Sequence, residues 1–217
     1  MFDNHRNLVN RIPGLTHEQR ELLYSALNIH GHACGGMPMG FAAGMEALKV
    51  LGVPRERNMD TVCVVFVGNG HAAGCFVDGL QFATGCTFGK GILKKEPKGK
   101  WSFQLIHKKT GKAVRGSLKA RILAQAFAAP FITEYRIKGV NPTDIPAEVA
   151  KPGFKRPFSL DPSDLVEIEG PFDVVIPKPK PCFVTVSCTR CDATIAENYA
   201  FLEDGQPVCM DCTSYIR

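Results

Sequence analysis

Apolar positions fall at helical spacing early in the chain, where Leu22, Leu23, Ala26 and Leu27 follow Thr16-His17-Glu18-Gln19. The latter four residues read as a capping box, a hydroxyl answered three residues later by Gln, so a helix is predicted to run to about Asn28. A second helix is expected from about Met37 to Leu51, ended by Gly52 and Pro54. It is apolar almost all round and carries Gly40 and Gly44 four residues apart. That pattern suits a buried core helix, or a dimer-interface helix, approached closely by a neighbour. Thr61 to Val67 is a nearly unbroken β-branched run and predicts a central strand, with Cys63 as a small buried hydrophobe.

Gly68-Asn69-Gly70 ends that strand, and a short helix is expected from Phe76 to Thr84, stopped by Gly85. Cys86 to Gly91 is a glycine-rich loop. Trp101 to His107 alternates, turns through Lys108 to Lys112 and returns at Ala113 to Arg115, a strand–turn–strand pattern. Lys119 to Ala128 has a helical pattern. Five prolines between Gly139 and Pro162 exclude long regular structure there, apart from a turn near Ala147-Glu148-Val149. Asp164 to Glu169 and Phe172 to Ile176 read as a closing pair of strands. The expected fold class is therefore α+β, a mixed or antiparallel sheet with packed helices. Pro177-Lys178-Pro179-Lys180-Pro181 favours a stiff, solvated polyproline II spacer. It divides an expected core domain, 1–176, from a tail, 182–217, and there is no internal repeat.

Composition adds little until cysteine is counted. Hydrophobic residues at 45% and charged residues at 22% are ordinary for a globular protein. The longest apolar stretch, Ile122 to Ile132, is broken by Gln125 and Pro130 and is too short to span a bilayer. The polar opening residues carry no signal-like pattern, so a cytoplasmic location is expected. Nine cysteines in such a chain point to metal ligation or thiol chemistry rather than a disulfide framework. Charge is unevenly spread: Lys90 to Arg121 holds eleven Lys or Arg against Glu96, whereas Cys182 onward is net acidic.

Cys188-x-x-Cys191 and Cys209-x-x-Cys212, seventeen residues apart, have the spacing of a tetrahedral four-cysteine zinc site. The ion would replace a core that so short a segment cannot build, and four thiolates leave no open position, so the role is structural. A redox dithiol or a disulfide is the other reading. Zinc with four thiolates adds further negative charge to an acidic tail, which disfavours nucleic acid as its partner and favours a protein surface.

The second concentration of chemistry is His30-Gly31-His32-Ala33-Cys34-Gly35-Gly36. In extended backbone His30, His32 and Cys34 would point to one side, with small residues leaving room for a ligand. His71, Cys75 and Cys86 also lie among glycines and alanines near predicted element ends. Cys75 stands at a helix N-terminus, where the dipole favours thiolate. Asp78, one turn on, could ligate, orient a histidine or act as a base. Mixed His and Cys ligands suit Zn, Fe or Ni. Separate buried cysteines and surface histidines are the plain alternative.

The run His30 to Gly36, with Cys75-x-x-Asp78-x-x-Gln81-x-x-Thr84-Gly85-Cys86-Thr87-x-Gly89-Lys90-Gly91 and then Gly99-Lys100-Trp101, resembles the E-subunit family of formylmethanofuran dehydrogenase. The resemblance spans roughly residues 20 to 125. It implies an α+β core, a dimeric habit, and, as in some members, a C-terminal treble-clef zinc finger. It also implies metal ligation by His32, Cys34 and Cys75, with His30, Asp78 and Cys86 lining the site. His30, His32, Cys34, Cys75 and Cys86 are thus the candidates for a second, core transition metal, and Cys75 and Asp78 the candidate catalytic pair.

Gly89-Lys90-Gly91 could cradle an anion or anionic cofactor through Lys90, but lacks Walker spacing. The basic 90–121 segment suits a solvated hairpin face, an acidic partner or nucleic acid, in that order. The leading expectation is a metal-binding protein with a structural zinc finger, serving one-carbon molybdenum or tungsten oxidoreductase chemistry as a homodimer or within a larger complex. The alternatives are a thiolate- or metal-dependent enzyme on a small substrate, and a zinc-finger interaction module.

Overall fold

The computed structural model describes residues 2–69, 72–175 and 181–215. His71 and most of the 177–181 spacer lie outside the described residues. The chain forms two compact units, Met1–Val175 and Ile176–Arg217.

The first unit begins with a helix that periodicity did not disclose, α1 (Phe2–Asn10), whose Leu8 and Val9, with Ile12 just beyond it, join Leu23 and Leu27 in one buried cluster. The capping box then forms as read: Thr16 Oγ1 accepts from the Gln19 N–H at 3.2 Å, and Gln19 Oε1 accepts from the Thr16 N–H at 2.8 Å. The helix it starts, α2 (His17–His30), runs two residues beyond Asn28, because its stop is Gly31 in the left-handed region at φ 89°. Next come α3 (Gly36–Leu51), β1 (Thr61–Val65), α4 (Gly74–Thr84) and β2 (Leu93–Lys95). The hairpin β3 (Ser102–His107) and β4 (Lys112–Leu118) follows, then α5 (Ala120–Phe127) and a π-helical turn at Phe131–Arg136. The proline-rich stretch holds α6 (Ala147–Lys155), with Pro152 inside it, and α7 (Pro162–Leu165) before β5 (Val166–Asp173).

The strands form one sheet in the order β2-β1-β3-β4-β5, in which only the β1–β2 pairing is parallel. The expected closing pair of strands is instead the single β5, whose register on β4 shifts between Ala113 and Arg115. Gly170 and Pro171 fall in that irregularity, which is why the pattern looks interrupted in sequence. One face of α3 and α4 packs on the sheet through Ala43, Ala47, Phe76, Leu80, Phe103 and Leu105. On the other side Met37 and Phe41 meet α1, α2 and Phe154 of α6. The apolar α3 is therefore the central layer of a core helix sandwich, which accounts for its lack of a polar face.

Glycines set how closely α3 and α4 approach. A Cβ on Gly40 would lie 1.9 Å from the Phe76 carbonyl oxygen, and one on Gly79 would lie 2.0 Å from that of Met37. Gly36 faces Cys75 and Gly44 faces Ala83 in the same manner, each hypothetical Cβ 2.9 Å from its neighbour. The pairings advance together along both helices, so α3 and α4 run parallel and begin at the same end of the unit.

Part of the basic segment is answered from within the unit. Lys109 pairs with Asp60 at 2.7 Å, Lys112 with Asp173 at 2.9 Å, Arg115 with Glu169 at 3.8 Å, and Arg121 with Asp164. These exposed pairs contribute little stability each, but they divide the positive field among acids that lie outside the stretch.

The second unit is two hairpins, β6 (Thr185–Ser187) with β7 (Thr194–Ala196) and β8 (Phe201–Glu203) with β9 (Gln206–Val208). Glu203 ties it together, accepting from Thr213 Oγ1 at 2.7 Å and from the Ser214 N–H at 2.6 Å, and pairing with Arg190.

Candidate metal centres

Each Cys-x-x-Cys pair of the second unit sits on a tight turn: the Asp192 N–H donates to the Cys188 carbonyl at 2.8 Å and the Cys212 N–H to the Cys209 carbonyl at 3.1 Å. Ligand atoms of Cys188, Cys191, Cys209 and Cys212 all lie within 4.8 Å of one another. The Cys191 and Cys209 sulfurs are 3.8 Å apart, far beyond a disulfide bond. Tetrahedral zinc with Zn–S of about 2.3 Å places its sulfurs about 3.8 Å apart. The Cys209 N–H, donating to Cys188 Sγ at 3.3 Å, draws that thiol down to about 6. The donor set fits a zinc-finger-like site.

The first-unit cluster is assembled differently from the extended strand that His-x-His-x-Cys suggests. His30 is the last residue of α2, and the left-handed Gly31 ends the helix by turning its own N–H back to Leu27 O at 2.9 Å. That turn, rather than strand alternation, brings His32 beneath His30, their ring centroids 4.2 Å apart. Cys34 lies just before α3, buried, where the backbone of Met37 and Gly36 favours its thiolate. Cys75 occupies the first turn of α4, which starts at Gly74 rather than Phe76. Because α3 and α4 run parallel, both thiols stand at convergent helix N-termini, whose partial positive charge favours thiolate.

Ligand atoms of His30, His32, Cys34 and Cys75 all lie within 4.8 Å of one another. His30 Nε2 is 3.4 Å from Cys34 Sγ, while its Nδ1 bonds Asp78 Oδ2 at 2.8 Å. A tetrahedral ion on imidazole nitrogen and thiolate sulfur separates those atoms by about 3.3–3.8 Å. The Asp78 bond leaves Nε2 as the free ligand nitrogen, the arrangement that orients metal-binding histidines. A hydrogen bond from Cys34 and others from His30 and His32 outweigh burial and lower the Cys75 thiol to about 2. Cys34 is correspondingly pushed up by that bond and by burial. Burial opposes a charge on His30, yet its bonds to Asp78 and Cys75 prevail and raise it to about 9. These residues fit a transition metal.

Cys86 is not brought to this group. Its buried sulfur donates to the Thr61 carbonyl at 3.4 Å, and burial pushes it up to about 11. The 11-residue α4 lies between Cys75 and Cys86, about 16 Å of helix rise, and Gly85, left-handed at φ 74°, then turns the chain toward Glu56 and β1. Lys90, expected to hold an anion, reaches the Glu56 carbonyl at 3.5 Å. Gln81 gains a role that spacing only hinted at, three residues after Asp78 on the same helix face. It donates to Asp78 Oδ1 at 3.5 Å and accepts from the Phe88 N–H at 3.1 Å.

Fold and site together define an α+β protein with, among the described residues, one Cys/His group and one four-cysteine group that could each hold a metal ion. The chain belongs to the FmdE family, described as FmdE, molybdenum formylmethanofuran dehydrogenase operon, whose model matches residues 29–155. It is 31% identical over 111 residues to a probable S-adenosyl-L-methionine-binding protein of Archaeoglobus fulgidus. That stretch is 49% of this chain but 29% of the archaeal protein, so the chain spans less than a third of that relative. The fold is shared with the crystal structure of a tungsten formylmethanofuran dehydrogenase FmdE-like protein from Syntrophus aciditrophicus. The TM-score is 0.56 at 20% identity, over 89% of this chain and 91% of that one. Among the described residues no helix is long and apolar enough to cross a membrane.

Proposed function

We propose that this FmdE-family chain is a metal-binding accessory of one-carbon molybdenum or tungsten oxidoreductase systems, working as a homodimer or as part of a larger complex in the cytoplasm. The operon named in the family description supports the setting. The observation that carries the metal reading is the four-residue group around Cys34 and Cys75, with His30 fixed by Asp78 at 2.8 Å. His30, Cys34 and Cys75 are the firm ligands of a Zn, Fe or Ni ion, and Cys188, Cys191, Cys209 and Cys212 hold a structural Zn.

His32 is the exchangeable fourth ligand in this reading. Among the described residues it has no carboxylate to orient it, whereas His30 does. Departure of His32 would open one position, where the ion would supply Lewis-acid chemistry or be passed on. The chain's own residues hold the ion, keep His30 in one tautomer and surround the thiolates with helix N–H groups. X-ray absorption on the whole protein tests this. H32A is expected to keep the core ion with a water in its shell and two sulfurs at about 2.3 Å; loss of the ion in H32A, or its retention in H30A, would contradict the assignment.

A further inference from the structure

The β1–α4–β2 segment is a parallel crossover unit, so the carboxyl ends of β1 and β2 and the start of α4 lie at one end of the fold. In α/β units ligands characteristically settle in the crevice at that end. A cavity of about 470 Å³ is found there, within the size range of small-molecule sites. Val65, Val67, Val77 and Leu93 give it apolar walls, and Phe88, 81% exposed, stands at its edge as an aromatic surface. Among the described lining residues two are charged. Lys95, held toward the cavity by a 2.6 Å bond to Asn69 Oδ1, supplies a cation, and Asp78 supplies a carboxylate.

We infer that this crevice binds a small organic carboxylate with an apolar body, its carboxylate on Lys95 and Asn69 and its carbon chain between the valines and Phe88. Asn69 contributes its amide N–H2, since its oxygen is engaged by Lys95. A hydrogen-bond donor on the far part of the ligand meets Asp78. Because Asp78 also holds His30, and Gln81 joins Asp78 to the Phe88 backbone, such a ligand is linked to the proposed core ion through two hydrogen bonds and the His30 ring. That last placement rests on the metal reading; binding of the carboxylate does not.

Methyl NMR titration of the full-length chain with hexanoate, hexylamine and 6-aminohexanoate separates these parts. Hexanoate is expected to shift the Val65, Val67, Val77 and Leu93 methyls saturably, and 6-aminohexanoate to bind several-fold more tightly through Asp78. K95M should weaken hexanoate at least tenfold and leave hexylamine unchanged. D78N should abolish the advantage of 6-aminohexanoate. The titration is run before and after chelator treatment. Saturable hexanoate binding in both forms supports the site even if no ion is bound in the core. Absence of saturable shifts, equal binding by K95M, or binding that vanishes on chelation would overturn it, the last because the ion rather than Lys95 would then hold the carboxylate.

Discussion

Asp78 is the residue on which the geometry of the core group depends most. It touches none of the sulfurs, yet its 2.8 Å bond fixes which nitrogen of His30 faces them. Replacing the carboxylate of such a pair characteristically lowers metal affinity about 10–100-fold. D78N is expected to do so, measured by competition with a chromophoric chelator, while leaving the four-cysteine site unaffected. Glu56 is the corresponding fixed point on the far side of α4. Buried at 6% exposure, it accepts from the Asn58 N–H at 2.5 Å and from the Thr61 N–H at the start of β1. Burial would raise its carboxyl, but the bonds from Thr61 and Asn58 hold it below the ordinary 4.5. A depressed folded-state value contributes stability above pH 4.5 that is lost as pH falls through that lower value. E56Q should therefore be less stable than the parent at pH 7, and the gap should narrow as the pH is lowered to 3. Urea denaturation at the two pH values reads this directly.

Among the elements, the parallel pair α3 and α4 is what converts scattered cysteines into a site. Gly79→Ala would put a methyl 2.0 Å from the Met37 carbonyl oxygen, and Gly40→Ala one 1.9 Å from that of Phe76. Neither obstacle is a flexible side-chain end, so the helices must separate. Overpacking of this kind costs about 1–3 kcal/mol, and here it also draws Cys34 away from Cys75. Each variant should show a lower urea midpoint and weaker binding at the core group, with the second unit unchanged. The elements that sequence disclosed were those with long, consistent patterns: the capped α2, the apolar α3 and the β-branched β1. Gly40 and Gly44 correctly announced a close neighbour without naming α4. What stayed hidden had a local reason. β2 is three residues containing Lys94 and Lys95, and only its pairing with β1 makes it a strand. The helix α6 contains Pro152 and is held by burial of Ala150 and Phe154, a tertiary effect. Cys86 shared the motif of Cys75 but not its place, because the 11 residues of α4 put the two cysteines at opposite ends of the helix.

At the scale of the whole molecule, two units carry two different ligand sets, and each is built by its own means. The four-cysteine set was fully legible from spacing, since tight turns place both sulfurs of a Cys-x-x-Cys pair on one side. The core set was legible in its membership apart from Cys86, but not in its assembly, which needs a helix end, a left-handed glycine and two convergent N-termini. In the proposed reading each of the two groups holds its own metal ion. Elemental analysis of anaerobically purified protein, with each ligand set removed in turn, tests it most directly. The parent is expected to carry two ions per chain, C34S/C75S to keep only the zinc, and C188S/C209S to keep only the core ion. A single ion per chain that survives C34S/C75S unchanged would contradict the account.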